Sequence, residues 1–363
     1  MTTERPSAAP PTAGPTAPSS LPAVPRRGRI GPAAYRAASF SLREAGIGLA
    51  LVLACVVFTV TTERFASTGN LLNLLVQVSI NTVLAVGLTF VILVGGIDLS
   101  VGSVLALGTV VGAKIMVDPA RPLWLSVGLA VCACLVAGLV AGLANGLVTE
   151  RWRVPSFIVT LGMLNVARGG AAVVSDNSTI SGLPLPFVDF GTEIFFGVIP
   201  MIFVLALATV LAAWFVLRFT VFGRLVYAVG TNEESVRLSG HNTRRIKVAC
   251  FVISGACAGL AALIFLLRLN VGSPTAGVGY ELTAIAAVIL GGTALTGGRG
   301  SVIGTFLGAC LLQVLTTGLQ LLGVGDNYRL IVIGAVIVVA VVLDTYRERL
   351  FAALNRRTVV AAP

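Results

Sequence analysis

Residues 123–148 read LWLSVGLAVCACLVAGLVAGLANGLV, a run of 26 positions without a charged side chain. The hydrocarbon core of a bilayer is about 30 Å thick, and a helix needs about 20 predominantly apolar residues to cross it. A run of this length is longer than the buried core helices of most soluble domains. It predicts a transmembrane helix, and therefore a protein that folds in lipid.

The composition extends this conclusion to the whole chain. Of the 363 residues, 56% are hydrophobic and only 11% are charged, and the mean hydropathy is +0.97. A soluble domain carries about 25% charged residues, so this chain cannot cover a water-facing surface. The net charge of +10 fits basic residues that flank membrane spans. Nucleic-acid binding is disfavoured, because no basic stripe coincides with a soluble module.

Apolar stretches of similar length recur on both sides of residues 123–148. The sequence therefore predicts an all-α, polytopic membrane protein with about ten transmembrane helices. The ten predicted spans are 45–62, 71–94, 99–117, 123–148, 154–174, 194–217, 247–268, 281–296, 301–323 and 329–344. Two of them, 281–296 and 329–344, are short, so a count from eight to eleven is consistent with the sequence.

Charge and composition also predict the domain layout. Residues 1–40 are rich in Pro, Ala, Ser and Thr near the start and in Arg near the end, which predicts a disordered cytoplasmic tail. Residues 41–346 form the predicted transmembrane domain, and residues 347–363 form a cytoplasmic C-terminal tail. An even number of spans places most Lys and Arg residues, including those of the loop 218–247, on the cytoplasmic side.

Two glycine-rich segments resemble each other. One begins Gly95-Gly96-Ile-Asp-Leu-Ser and the other Gly291-Gly292-Thr-Ala-Leu-Thr, and each is followed shortly by Gly-Ser-Val. Glycine adopts backbone conformations that other residues resist, so we predict helix breaks at these four glycines. Many transporters consist of two related halves with broken helices. The echo is compatible with two related halves and leaves their symmetry open.

Polar residues at membrane depth are the candidates for a substrate pathway. Asp98 lies inside the first break, where an ionisable group marks a functional site by default. It is also placed to cap the next helix through the amides of residues 100–102, and this interpretation is favoured. Amides in a membrane bundle also serve helix–helix hydrogen bonds. The pathway candidates are Asn81, Asp98, Asn145, Asn165 and Gln313.

The loop 218–247 contains a predicted surface helix at residues 233–239. Asn232 is a favourable N-cap, Glu233 and Glu234 suit the positive helix start, and Gly240 suits the stop. Such a helix could dock into another protein and transmit its motion, or it could simply connect two spans. The sequence pattern alone does not separate these two roles.

Several kinds of chemistry are excluded by residues that the sequence lacks. His241 is the only histidine, so a histidine triad or a multi-histidine metal site is not expected. No Gly-xxxx-Gly-Lys-Ser/Thr motif occurs, so the chain has no Walker-type nucleotide site. We therefore predict a protein that is not an enzyme and that binds neither a metal nor another cofactor itself.

Four motifs carry a family resemblance. They are GGIDLSVGSVLAL at 95–107, VPSFIVTLGMLNVARGGA at 154–171, FGRLVYAVGTNEESVRLSGHNTRRIK at 222–247, and the run from SPTAGVGYEL at 273–282 to TTGLQLLGV at 316–324. These segments resemble the ribose/xylose/galactose-type permease subunits of bacterial ATP-binding-cassette importers. The resemblance covers roughly residues 45–345 and is closest to ribose permeases.

This resemblance implies a function and a set of partners. It implies a permease homodimer in the lipid of the plasma (inner) membrane, a cytoplasmic ATPase that carries ATP and Mg, and an extracytoplasmic sugar-binding protein. It implies that the loop 273–280 faces outside near that protein. The residues that would couple the permease to the ATPase are Asn232, Glu233, Glu234, Arg237 and Gly240.

The substrate remains open at this stage. Ribose or a similar monosaccharide is the first expectation, while autoinducer-2, inositol and branched-chain amino acids are alternatives. An ion-coupled secondary transporter is a further rival, and it would need coupling charges in the membrane. Asp98 and Glu281 are the candidates for such charges.

Overall fold

The computed structural model describes residues 32–195 and 197–336, together with residues 338, 339 and 342. The chain divides into the units Met1–Phe40 and Ser41–Pro363, and the second unit is described below. The predicted tail 347–363 and most of the predicted tail 1–40 lie outside the described residues. Residues 32–40 of the first tail form the beginning of the first helix.

The described part of the chain is almost entirely helical. Its helices are α1 (Pro32–Thr61), α2 (Thr68–Leu93), α3 (Val101–Met116), α4 (Leu123–Trp152), α5 (Ser156–Val174), α6 (Leu185–Thr192), α7 (Met201–Phe219), α8 (Val221–Thr231), α9 (Glu233–Leu238), α10 (Thr243–Leu269), α11 (Tyr280–Leu290) and α12 (Val302–Leu321). Residues 326–336 are also helical. Two short antiparallel pairs join β1 (Ile180–Ser181) to β4 (Val271–Gly272) and β2 (Ile194–Phe195) to β3 (Ile199–Pro200).

Seven of the described helices are long and apolar enough to cross a membrane. They are α2, α4, α5, α7, α10, α12 and the part of α1 from Glu44 to Thr61. The predicted all-α, polytopic membrane fold is confirmed. The third and eighth predicted spans contain the shorter apolar helices α3 and α11, and the last predicted span lies partly outside the described residues.

Two predicted spans begin or end differently in the structure. The span predicted at 194–217 begins as a helix only at Met201, because Ile194–Phe195 and Ile199–Pro200 pair as β2 and β3, and Pro200 precedes the first helical residue. The span predicted at 281–296 is helical only to Leu290, because Gly291 and Gly292 end the helix. A non-helical segment, residues 271–279, precedes it: Val271 and Gly272 form β4, and residues 274–279 form turns.

The helices α2 and α10 form the centre of the bundle and are the most buried of the long helices. Glycines let α10 and α4 approach until their backbones touch. A Cβ atom added at Gly138 would overlap with the carbonyl oxygen of Gly255, and one added at Gly255 would overlap with that of Gly138. Close contacts between small residues replace the hydrophobic effect as the force that joins helices in lipid.

Candidate coupling and translocation site

Both predicted helix breaks have the same backbone geometry. After α2, Gly95 has a φ of 79°, and the amides of Gly95 and Gly96 donate to Ile92 O and Val91 O. After α11, Gly292 has a φ of 87°, and the amides of Gly292 and Thr293 donate to Ile289 O and Val288 O. Each is a helix end closed by a left-handed glycine.

When the two breaks are aligned by structure, they are offset by one residue from their alignment by sequence. The hydrogen bonds make Gly95 equivalent to Gly292 rather than to Gly291. Gly291 still has φ −62°, a value that any residue adopts, and it closes α11 as the C-cap. Its lack of a side chain serves packing, because a Cβ atom there would overlap with Gly304 and Thr305 of α12.

The two breaks meet at the end of α8. The amide of Gly298, in the second break, donates to Leu93 O at the end of α2 over 2.8 Å. A Cβ atom at Gly230 in α8 would overlap with Leu93 O and with the amide of Gly298. A Cβ atom at Gly298 would in turn lie 2.5 Å from Thr231 Oγ1. We call this contact of Leu93, Gly230, Gly297 and Gly298 the break junction.

Sequence reasoning did not single out the residues of the break junction. Gly297 and Gly298 have φ values of 83° and 73°, a region that glycine enters readily. The two glycines are adjacent in the sequence, and this adjacency could have indicated their unusual backbone conformation. The importance of Gly230 had no local signal, because its partners lie more than 60 residues away in the chain.

The predicted surface helix of the loop 218–247 is present as α9. The side chain of Asn232 accepts a hydrogen bond from the amide of Ser235 over 2.9 Å, as an N-cap residue does. Glu234 and Arg237 form an exposed two-bond ion pair, and the bonded guanidinium lowers the pKa of Glu234 below its usual value. Gly240 follows with a φ of 83°. We call residues 220–240 the coupling segment.

An ion-pair bridge ties the coupling segment to the bundle. Lys247 Nζ, in the first turns of α10, lies 2.6 Å from Glu233 Oε2 in α9. The same ammonium lies 3.5 Å from Glu150 Oε1 near the end of α4. Lys247 and Glu150 are largely shielded from solvent, so this bridge is screened less than an exposed pair. It fixes α9 relative to α4 and α10.

Asp98 is buried at the start of α3 and has three hydrogen-bond donors around it. Its Oδ1 accepts from the amide of Ser100 over 2.9 Å and from the Ser100 hydroxyl over 2.6 Å. Its Oδ2 accepts from the hydroxyl of Ser254 in α10 over 2.9 Å. Of the bonds to the amides of residues 100–102 that the sequence predicted, the one to Ser100 is present; Ser100 is itself the N-cap residue of α3, which has no side-chain cap bond. Asp98 therefore joins the first break to α10.

Neighbouring helices hold the rest of the first break. Asn145 in α4 donates to the hydroxyl of Ser100 over 2.9 Å. Ser156 and Thr160, in the first turns of α5, accept from the amides of Ile97 and Leu99 over 3.0 and 3.1 Å. The unwound backbone thus recovers the hydrogen bonds that a helix would have supplied, which is required at membrane depth.

The structure does not bring the other pathway candidates into one group. Gln313 in α12 is buried and donates to Gln77 Oε1 in α2 and to Thr317 Oγ1. Asn81 is one turn from Gln77 on α2, and its Oδ1 is buried without a hydrogen-bond partner in the described residues. Asn165 lies on an exposed face of α5 and donates to Leu161 O of its own helix.

No group of three His, Cys, Asp or Glu side chains in the described ranges could hold a metal ion. What the arrangement can do is mechanical: a shift of the coupling segment reaches both helix breaks at once through the break junction.

The protein family described as "Branched-chain amino acid transport system / permease component" matches residues 70–341. The chain belongs to this family. It is a multi-pass membrane protein and a transport subunit rather than an enzyme. No solved structure matches the chain significantly.

Three of the proteins similar to this chain are sugar permeases. The chain is 40% identical over 304 residues to the ribose import permease of Escherichia coli K12, a match that covers 83% of this chain and 93% of the relative. It is 42% identical over 305 residues to the ribose import permease of Bacillus subtilis, covering 84% and 93%. It is 36% identical over 310 residues to the D-allose transport system permease of Escherichia coli K12, covering 84% and 93%.

Proposed function

We propose that this chain is the permease subunit of an ATP-binding-cassette importer that moves a monosaccharide, ribose or a similar sugar, across the plasma (inner) membrane. The observation that carries this proposal is the identity of 40–42% with ribose import permeases over more than four fifths of the chain. The D-allose relative, at 36%, ranks lower in identity than the ribose relatives. This order favours ribose over allose as the substrate.

The partners follow from the same proposal. The permease acts as a homodimer with a cytoplasmic ATPase, which binds ATP and Mg, and with an external sugar-binding protein that delivers the substrate. Both termini lie in the cytoplasm. The permease itself binds no cofactor, since its sequence has no Walker-type motif.

The coupling segment is the proposed contact with the ATPase. Asn232, Glu233, Glu234, Arg237 and Gly240 form or end its exposed helix α9. ATP binding by the partner would hold α8 and α9 in one position, and hydrolysis would release them. Because Gly230 contacts both breaks, each position of α8 favours one arrangement of the breaks. Differences in binding free energy between the two arrangements then set the direction of transport.

Uptake by proteoliposomes tests the proposed function. The purified permease, ATPase and sugar-binding protein are reconstituted, and the uptake of radiolabelled ribose is measured with and without ATP. We expect uptake that requires ATP and is competed by unlabelled ribose. If only autoinducer-2, inositol or leucine competes, the substrate belongs to the class of that compound instead. Uptake that persists without the ATPase would contradict the ATP-driven importer and favour an ion-coupled transporter.

A matched pair of glycine variants tests the coupling assignment. Gly240→Ala places a side chain at φ 83° beside α9, while Gly182→Ala places one at φ 84° before α6, and neither added Cβ atom meets another atom within 4 Å. The backbone strain is therefore alike, about 1–2 kcal/mol. We expect Gly240→Ala, and likewise Glu234→Gln, to insert normally but to uncouple ATP hydrolysis from uptake. Gly182→Ala should transport normally.

A further inference from the structure

The non-helical segment 271–279 packs along α3 rather than projecting from the ends of the helices. A Cβ atom at Gly272 would lie 2.6 Å from Thr109 O, and one at Gly277 would lie 2.7 Å from Gly102 O. Thr109 and Gly102 are seven residues apart on α3, which corresponds to about 10 Å of helix. Gly102 lies in the first turn of α3. The segment therefore runs along α3 from Thr109 to the first turn before α11 begins.

This segment is irregular backbone within the membrane-spanning bundle. Non-helical backbone at membrane depth is tolerated only where it is buried in protein or lines a water-filled cavity. One side of the segment meets the first condition, because Pro274, Ala276 and Gly277 are buried. The other side is open, since Thr275 and Val278 are exposed. The open side therefore requires water or a protein partner, and not lipid.

Polar groups mark the open side. The hydroxyls of Ser273 and Thr275 lie 3.0 Å apart, and the Ser273 hydroxyl accepts from the amide of Thr275 over 3.3 Å. Two neighbouring hydroxyls beside the exposed Thr275 suit an aqueous path for a polyhydroxy solute better than a dry protein contact, because each hydroxyl can exchange hydrogen bonds with water.

Arg168 holds the segment in place. Its Nη1 donates to Pro274 O over 2.9 Å and to Ala276 O over 2.7 Å. The carboxylate of Glu281, in the first turn of α11, interacts electrostatically with this guanidinium. One oxygen of Glu281 packs against Gly102 and is buried without a hydrogen-bond partner in the described part of the chain. Arg168 thus links α5 to the segment and to the start of α11.

We propose that the exposed side of segment 273–279 lines the aqueous substrate path, and that Arg168 is a positioning residue that makes the segment move with α5. The ligand class is a neutral polyhydroxy solute, which hydroxyl and amide groups bind without the strong trapping that an ion pair would cause. This inference rests on the proposed import function. The start of α5 also holds the first break through Ser156 and Thr160, so α5 connects the break to the segment.

Cysteine labelling tests the lining role. Thr275→Cys is introduced into the full permease, and its reaction with a water-soluble methanethiosulfonate is measured in the assembled transporter, with and without ATP and sugar. Val140→Cys is the control, because Val140 is 59% exposed in the middle of the regular helix α4. The unsubstituted protein gives the background of its own cysteines.

We expect Thr275→Cys to react at least tenfold faster than Val140→Cys, to change its rate when ATP is added, and to be protected by the transported sugar. Reaction no faster than that of Val140→Cys in every nucleotide state would overturn the inference. Failure of ribose uptake together with ATP-dependent labelling would instead overturn the proposed substrate and leave the lining role standing. Normal ribose uptake with an unreactive Thr275→Cys would overturn the lining role and leave the proposed substrate standing.

Replacement of Arg168 tests the positioning role. Arg168→Met removes both hydrogen bonds, whereas Arg168→Lys retains a donor. We expect Arg168→Met to lower uptake at least tenfold and to make the labelling of Thr275→Cys independent of ATP, with Arg168→Lys intermediate. A merely structural role would lower protein yield and leave the ATP dependence intact. Uptake and ATP-dependent labelling that are unchanged in Arg168→Met would overturn this role.

Discussion

Asp98 shows how a carboxylate is kept at membrane depth. Burial of a charge is costly unless hydrogen bonds replace its hydration. Three donors, the amide and hydroxyl of Ser100 and the hydroxyl of Ser254, point to its two oxygens. Asn145 completes the network by donating to the hydroxyl of Ser100. The residue therefore ties the first break to α10 directly and to α4 through Ser100.

Substitution of Asp98 separates its structural contribution from a role in proton coupling. Asp98→Ala leaves three buried donors without an acceptor, each at a cost of about 1–3 kcal/mol, so we expect a marked loss of thermal stability in detergent. Asp98→Asn keeps an acceptor oxygen and should retain most stability and ATP-driven uptake. Asp189→Ala, at an exposed position in α6, serves as the control and should change stability by less than about 0.5 kcal/mol.

Melting curves and uptake assays on the three variants distinguish a structural role of Asp98 from proton coupling. Complete loss of uptake in a stable Asp98→Asn protein would contradict the structural role and favour proton coupling at this carboxylate.

At the residue scale, local contacts were predictable and distant ones were not. The N-cap role of Asn232 and the bond of Asp98 to the Ser100 amide depend on residues two or three positions away, so the sequence pattern contained them. The bond from Ser254 to Asp98 joins residues 156 positions apart. No local pattern predicts such a contact, because it depends on how α10 packs against the first break.

At the scale of helices, the α4–α10 contact depends on the absence of side chains. Gly138→Ala adds a Cβ atom that overlaps with Gly255 O, so the two helices must separate. We expect a loss of about 1–3 kcal/mol of stability, the usual cost of overpacking. Gly128→Ala lies on the same helix with nothing within 4 Å, so it should be neutral or stabilising by up to about 1 kcal/mol.

Thermal unfolding in detergent measures both variants under identical conditions. Equal melting temperatures for Gly138→Ala and Gly128→Ala would show that the close approach of α4 and α10 does not contribute to stability.

The Lys247 bridge gives a second prediction at this scale. Lys247→Met keeps the length of the side chain but removes the charge that Glu233 and Glu150 share. Single ion pairs of this kind contribute only about 1 kcal/mol or less, so folding should survive. We expect transport to fall because α9 is no longer held against α4 and α10, while ATP hydrolysis continues. The control is Arg245→Met, two positions earlier and exposed.

Parallel assays of sugar uptake and ATP hydrolysis decide between the outcomes. If Lys247→Met and Arg245→Met lose uptake to the same extent, the bridge has no special part in coupling.

Element type was predictable where the apolar runs were long, as for α2, α4 and α10. The non-helical segment 271–279 was not predicted to pack along α3, since the family resemblance placed residues 273–280 outside the membrane. Its course is set by contacts with α3, at Thr109 and Gly102.

At the scale of the whole molecule, a series of contacts connects residues 220–240 to segment 273–279. The coupling segment contacts both helix breaks at the break junction, the breaks contact α4, α5 and α10, and α5 holds segment 273–279 through Arg168. Composition and charge predicted the membrane fold. The break junction could not be predicted, because its residues come from three distant parts of the sequence.

ATP-driven transport requires the coupling segment to face the cytoplasm. A single Asn232→Cys substitution can be labelled with a membrane-impermeant maleimide, in intact cells and in inside-out vesicles, with the unsubstituted protein as background. We expect labelling in inside-out vesicles only, and we expect that labelling to be lost when the ATPase subunit is bound. Labelling of Asn232→Cys from the outside of intact cells would contradict it.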